Sequence, residues 1–151
     1  MAKRSAGLLL YRRRGATLEV LLVHLGGPFW AKKDTWFLPK GELAAGEGDL
    51  DGARREFHEE TGFESPEGEA LPLGEIRLKS GKAVVAFAVE GDCDPAALRS
   101  NSFELEWPPR SGRRQGFPEV DRAAFFSLEA AAKKMSAAEA EFLERLRRVA
   151  E

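Results

Sequence analysis

The residues best spaced for chemistry are three glutamates in the segment Arg55-Glu56-Phe57-His58-Glu59-Glu60. Written on a helix, Glu56, Glu59 and Glu60 fall within an arc of about 100°. That arc lies at the edge of an apolar stripe made by Leu50, Ala53 and Phe57. Glu56 is then a like-charge neighbour of both Glu59 and Glu60, and each such pair weakens an isolated helix by about 0.2–0.5 kcal/mol. A hard divalent cation, Mg2+ or Mn2+, would offset the repulsion, because such ions prefer carboxylate and water oxygens. Arg55, one turn before Glu59, is placed to orient or partly neutralise it. A solvated acidic face has the same local pattern, so the flanking residues must decide.

The elements that hold these side chains are legible in outline. A helix is expected from about Leu50 to Thr61, with Asp49 as N-cap and Gly62 as the left-handed C-terminal residue. Before it, Ala6 to Tyr11 and Leu18 to Leu25 read as strands around a turn at Gly15, and Gly26-Gly27-Pro28 ends the second. Phe29, Trp30, Lys32 and Lys33 should lie in an exposed loop. Trp36-Phe37-Leu38 is a short apolar run stopped by Pro39, and Lys40-Gly41-Glu42 reads as loop. After the helix come strands near Leu73 to Lys79 and Ala83 to Glu90. Residues 92–118, with four prolines, read as an irregular surface insertion, holding a short helix near Pro95 to Arg99 and a strand near Phe103 to Trp107. Val120 to Phe126 supplies a last strand. Ser127 caps one helix, and Ser136-Ala-Ala-Glu139 has capping-box spacing for another, with Phe142, Leu143, Leu146 and Val149 as its apolar face. Interspersed strands and helices give an α/β (α+β) class, with helices packed on a mixed sheet.

Composition narrows the partners. With 151 residues, 43% of them hydrophobic, the chain suits a single domain, 1–151, with a proper core. Its 23 Lys and Arg against 25 Asp and Glu exclude a polybasic binder of nucleic acid polymers held by bulk charge. Cys93 is the one cysteine, so there is no internal disulfide, and it is expected to be inert. No apolar run approaches the roughly 20 residues of a membrane span. The basic start Met1-Ala-Lys-Arg-Ser5 is followed by too short an apolar run for a signal peptide. A cytoplasmic protein, monomer or homodimer, is the expectation.

The spacing around the glutamates resolves the ambiguity. Gly41, Glu47, Arg55, Glu56, Phe57, Glu59, Glu60, Gly62 and Phe63 match, without departure, the 23-residue signature of the Nudix hydrolase family. Seven fixed and two apolar positions would match in this chain by chance with a probability on the order of 10⁻⁶ to 10⁻⁵. The resemblance implies an α/β/α sandwich and Mg2+- or Mn2+-dependent hydrolysis of a pyrophosphate bond in a nucleoside diphosphate-linked molecule. Carried over position by position, Glu56, Glu59 and Glu60 would be metal ligands. Arg55 and Glu47 would support the loop and helix, with Glu47 also a candidate for reaching metal-bound water. The general base would be a glutamate of the helix or one from a later loop, where Glu104 and Glu106 are candidates. Glu119 and Asp121 have nothing in the sequence to distinguish them.

Trp36-Phe-Leu-Pro-Lys40-Gly41 resembles family members that act on dinucleoside polyphosphates, which makes a nucleoside triphosphate or a dinucleoside polyphosphate such as diadenosine tetraphosphate the expected small-molecule substrate. Lys40 could pair with a phosphate or be a solvated lysine. Arg110, Arg113 and Arg114 could receive phosphates, and Trp107 a base. Phe29 and Trp30 could stack a base or pack under their loop. The chain has no tyrosine after the signature, which disfavours subgroups that stack adenine on one. His24 and His58 are expected to be structural or exposed. A non-catalytic nucleotide-sensing module on the same fold is the alternative.

Overall fold

In the computed structural model, the described residues are 4–150; Met1, Ala2 and Lys3 of the basic start, and Glu151, lie outside them. The first strand, β1 (Arg4–Arg14), organises the sheet. β2 (Thr17–Leu25) folds back on it antiparallel but pairs only with its second half, Tyr11 to Arg14. β5 (Ala83–Glu90) runs parallel along the other side, and β4 (Ala70–Arg77) pairs with β5 at one edge. β8 (Val120–Ser127) pairs with β2 at the other edge, giving the order β4-β5-β1-β2-β8 in a mixed sheet.

The first half of β1 would leave backbone groups unpaired on the β2 side, and buried backbone polar groups need partners. Lys40–Glu42, expected as loop, fills that gap as strand β3, pairing with Ser5 to Gly7. Flanking bonds extend the ladder, with Leu8 N–H donating to Pro39 O (3.1 Å) and Leu43 N–H to Arg4 O (3.0 Å).

Alternation along β1 sends side chains to two cores. Leu9 and Tyr11 join Val20, Leu22, Trp36, Leu38, Phe142 and Leu146 beneath α2 (Leu128–Lys134) and α3 (Ala137–Ala150). Leu8 and Leu10 face the other way, with Leu21, Val89 and Phe57 of α1 (Asp49–Thr61). Helices on both faces of one mixed sheet make the expected α/β/α sandwich. Among the described residues no helix is long and apolar enough to cross a membrane.

Several local expectations need correction. The N-cap of α1 is Gly48, without a side-chain cap bond, because Asp49 is drawn to Arg4 (2.9 Å). Leu50 is only half-buried, whereas Ala53 and Phe57 are fully buried. Within 92–118, a 3-10 turn (Pro95–Ala97) is followed by a regular antiparallel hairpin, β6 (Ser102–Glu106) and β7 (Arg114–Pro118). At the C-terminus, Val149 is 45% exposed and Ala150 takes the buried position.

Ser127 does cap α2, its Oγ accepting from Ala130 N–H (3.1 Å). Ser127→Ala should lower stability by about 1 kcal/mol, read from urea unfolding at unchanged m-value.

Candidate active site

α1 leaves the loop after β3 and packs on one face of the sheet, where Ala53 meets Ala6 and Val85 and the carboxylates of Glu56 and Glu60 meet the Gly41 and Lys40 backbone of β3. Gly62 ends the helix with φ 77°, its N–H donating to His58 O (2.7 Å), the left-handed exit expected there.

Arg55 ties the preceding loop to the helix. Its Nε and Nη2 donate to the two oxygens of Glu47 (2.7 and 2.9 Å), and Nη2 also reaches Glu42 O (3.1 Å). Its Nη1 donates to Glu56 Oε1 (2.8 Å) and Glu59 Oε2 (3.0 Å). Glu47, gripped by Arg55 and further held by Ala44 N–H, has its pKa lowered to about 2. The same carboxylates, Glu47 first, raise the pKa of Arg55 and keep it charged.

Glu60 is buried, 9% exposed, and its Oε2 accepts from the backbone N–H of Lys40 (3.0 Å). Burial pushes its pKa up to about 8, against the lowering effect of that hydrogen bond, while Glu56 and Glu119 add repulsion. Glu56 is also raised, chiefly by burial, with Arg55 opposing. Glu56 packs against Gly41 so closely that a Cβ added at Gly41 would fall inside its carboxylate. Glycine at 41 thus makes room for a carboxylate.

A cleft of about 460 Å3 opens beside this cluster, lined by Glu56, Glu60, Glu119, Lys40 and Gly41, with Phe29, Trp30 and Phe103 as apolar walls. Glu59 is not among its lining residues; its side chain is 41% exposed and held by Arg55. Among the described residues no three His, Cys, Asp or Glu side chains converge at coordinating range, and Arg55 holds both Glu56 and Glu59.

The remaining expected residues are distributed differently. Glu104 pairs with Arg114 (3.1 Å) on the exposed hairpin, and Glu106 accepts from Arg110 N–H (3.1 Å). Neither carboxylate lines the cleft, and Arg110, Arg113 and Arg114 are exposed and do not line it either. Trp107 packs edge-on against Phe29, with ring centroids 5.7 Å apart, and so braces the cleft wall. Lys40 does not offer a free ammonium: its Nζ is 2.8 Å from Glu139 Oε2. His24 is fully buried between Asp121 (2.8 Å) and Lys33 O (2.6 Å), while His58 is exposed and points to Phe63 O. Burial raises the Cys93 thiol to about 11, in keeping with an inert cysteine.

Glu119 is the carboxylate that sequence reasoning did not single out. It reaches the cleft because Gly26 N–H donates to Glu119 O (2.9 Å) and Glu119 N–H to Asn101 O (2.7 Å), which tie the start of β8 to the end of β2 and to the base of the hairpin. Its hydrogen-bond partner Gly26 hinted only at a turn.

A family model described as NUDIX domain matches residues 1–146. Bis(5'-nucleosyl)-tetraphosphatase (asymmetrical) of Rattus norvegicus is 34% identical over 101 residues, which cover 60% of this chain and 66% of the relative. The match therefore spans just under two thirds of that protein's own length, and the same holds for its Mus musculus counterpart, 33% identical. Among solved structures, a C. elegans Ap4A hydrolase binary complex aligns at TM-score 0.70 and 20% identity, covering 97% of each chain. The NUDIX domain of Shewanella oneidensis NrtR, complexed with ADP ribose, aligns at TM-score 0.70 and 16% identity, covering all of this chain and 90% of that one. At such identities these structures establish likeness of fold.

Proposed function

This chain belongs to the Nudix family, and we propose on that footing that it is a metal-dependent pyrophosphohydrolase of nucleotides. The observation that carries the proposal is the cleft itself, where three carboxylates, Glu56, Glu60 and Glu119, face aromatic walls of the size and polarity a nucleotide needs. The donor set fits a hard divalent cation, Mg2+ or Mn2+: every donor is a carboxylate oxygen, and burial, with mutual repulsion added, raises Glu56 and Glu60. Glu56, Glu59 and Glu60 would hold it, Glu59 exchanging its Arg55 contact for the ion.

A bound cation would neutralise phosphate charge and lower the pKa of a water it held. The chain's own residues do the rest. Arg55, anchored by Glu47, fixes the loop against the helix and keeps the glutamates at constant separation from the scissile phosphorus. Glu119, across the cleft on a separate element, is the candidate to accept the proton of the attacking water, in place of Glu104 and Glu106. Phe29, Trp30 and Phe103 receive a base, and Trp107 supports Phe29. Similarity to the rat tetraphosphatase favours a dinucleoside polyphosphate such as diadenosine tetraphosphate over a nucleoside triphosphate.

The test is a panel of nucleoside triphosphates, dinucleoside polyphosphates and diphosphate-linked nucleosides, each with Mg2+ or Mn2+ and with products identified. Cleavage to mononucleotides is expected; nucleotide affinity without product would instead support the sensing module. In the same assay Gly41→Ala, by displacing Glu56, should reduce kcat by about 100-fold, the scale of a 1 Å misplacement at a reacting centre.

A further inference from the structure

Glu139 lies on the opposite side of the sheet from α1, yet it is wired to the cleft. It is 2% exposed and falls on the apolar stripe of α3 with Phe142, Leu143 and Leu146, where an unpaired carboxylate would be costly. Its Ser-x-x-Glu spacing predicts a carboxylate returning to cap the helix. Ser136 plays its half, its Oγ accepting from Glu139 N–H (3.2 Å). Glu139 instead spends both oxygens on the strand approaching the signature: Oε1 accepts from Leu38 N–H (3.0 Å) and Oε2 pairs with Lys40 Nζ (2.8 Å).

Those contacts immobilise three consecutive residues. Leu38 is held by Glu139, and Pro39, whose ring restricts φ, accepts from Leu8 N–H through its carbonyl. Lys40 is held at its side chain by Glu139, and its backbone N–H in turn holds Glu60 Oε2. From this chain of contacts we infer that Glu139 is a positioning residue for Glu60: it fixes the Leu38–Lys40 backbone so that the Lys40 amide orients the Glu60 carboxylate in the cleft. The role of Glu60 rests on the functional reading above, whereas the linkage from Glu139 to the Lys40 amide does not.

Glu139→Gln is the informative variant, since the amide keeps an oxygen for Leu38 N–H and loses the Lys40 ion pair. In metal-free protein without substrate, hydrogen exchange at the Lys40 amide should accelerate by about 10-fold or more, with the β1 and β5 amides unchanged. Under turnover, kcat should fall by about 10- to 100-fold, the range for removing an outer support of a metal ligand, with KM nearly constant. In a Glu60→Gln background the same change should have almost no further effect on kcat, because residues acting through one another are not additive. Should Glu139→Gln fail to fold, Lys40→Gln breaks the same pair from the other end and is read at the amide of residue 40. Unchanged exchange at position 40 in the folded variants, or an equal kcat loss with and without Glu60, would overturn the inference. Wild-type protein that cleaves no nucleotide would defeat the functional reading alone, leaving the exchange result to judge the linkage.

Discussion

Glu60→Gln is expected to abolish most turnover while leaving the protein folded. The loss in kcat/KM should exceed about 100-fold, since even outer supports of a metal ligand cost 10- to 100-fold. Glutamine is nearly isosteric and can still accept from the Lys40 N–H, so the local hydrogen bond survives. What disappears is the charge that a cation needs. Burial already opposes that charge, holding the pKa near 8, so removing it relieves the metal-free protein and its Tm should not drop. The response to Mg2+ should change as well. Wild type gains stability with the logarithm of metal concentration above Kd, about 2.7 kcal/mol at a hundredfold excess, and the variant should gain far less. Differential scanning fluorimetry with and without metal, beside steady-state kinetics, separates these effects. Near-normal turnover in the variant would remove Glu60 from the proposed metal set.

How much of this arrangement was legible depended on how local the responsible pattern was. α1 could be read because its apolar positions, its carboxylates and Gly62 all repeat on one helical period. β1, β2, β5 and β8 were visible as runs of apolar and β-branched residues. β3 was not, because Lys-Gly-Glu carries no strand pattern; it is a strand only because β1 outruns β2 and leaves partners open. β7, Arg-Gln-Gly-Phe-Pro, is equally unpatterned and is set by its register with β6. The same limit governed the site. Glu56, Glu59, Glu60 and Arg55 share one helix and were found together, whereas Glu119 enters through loop contacts that no spacing encodes. Glu139 was misassigned for the complementary reason: its local spacing is that of a cap, but its partner at Leu38 is 101 positions away. Arg110, Arg113 and Arg114 cluster in sequence, yet the hairpin residue that lines the cleft is Phe103, a placement fixed by strand pairing rather than by composition.

Phe57→Ala should have the converse effect to Glu60→Gln, a large loss of stability with chemistry intact in the molecules that remain folded. Phe57 is fully buried and is the largest side chain that α1 places against Leu8, Leu10, Leu21 and Val89. Truncating a buried phenylalanine costs about 3–5 kcal/mol, combining lost transfer energy with a cavity the neighbours only partly fill. That is a large fraction of the 5–15 kcal/mol typical of a domain, so the midpoint of urea unfolding should shift markedly. Collapse is restricted on both sides: the sheet beneath is a paired ladder, and Arg55 with Glu47 clamps the other side of the helix. Since the glutamates sit on the same helix, the variant should lose activity on warming in step with unfolding. At low temperature, kcat per folded molecule should stay near wild type, because Lys40 and Gly41 still define the position of Glu60 and Glu56 from the strand side. A Phe57→Ala protein as stable as wild type would mean that α1 is held by its polar contacts alone, while a folded but inactive one would mean that the aromatic ring itself sets the carboxylate geometry.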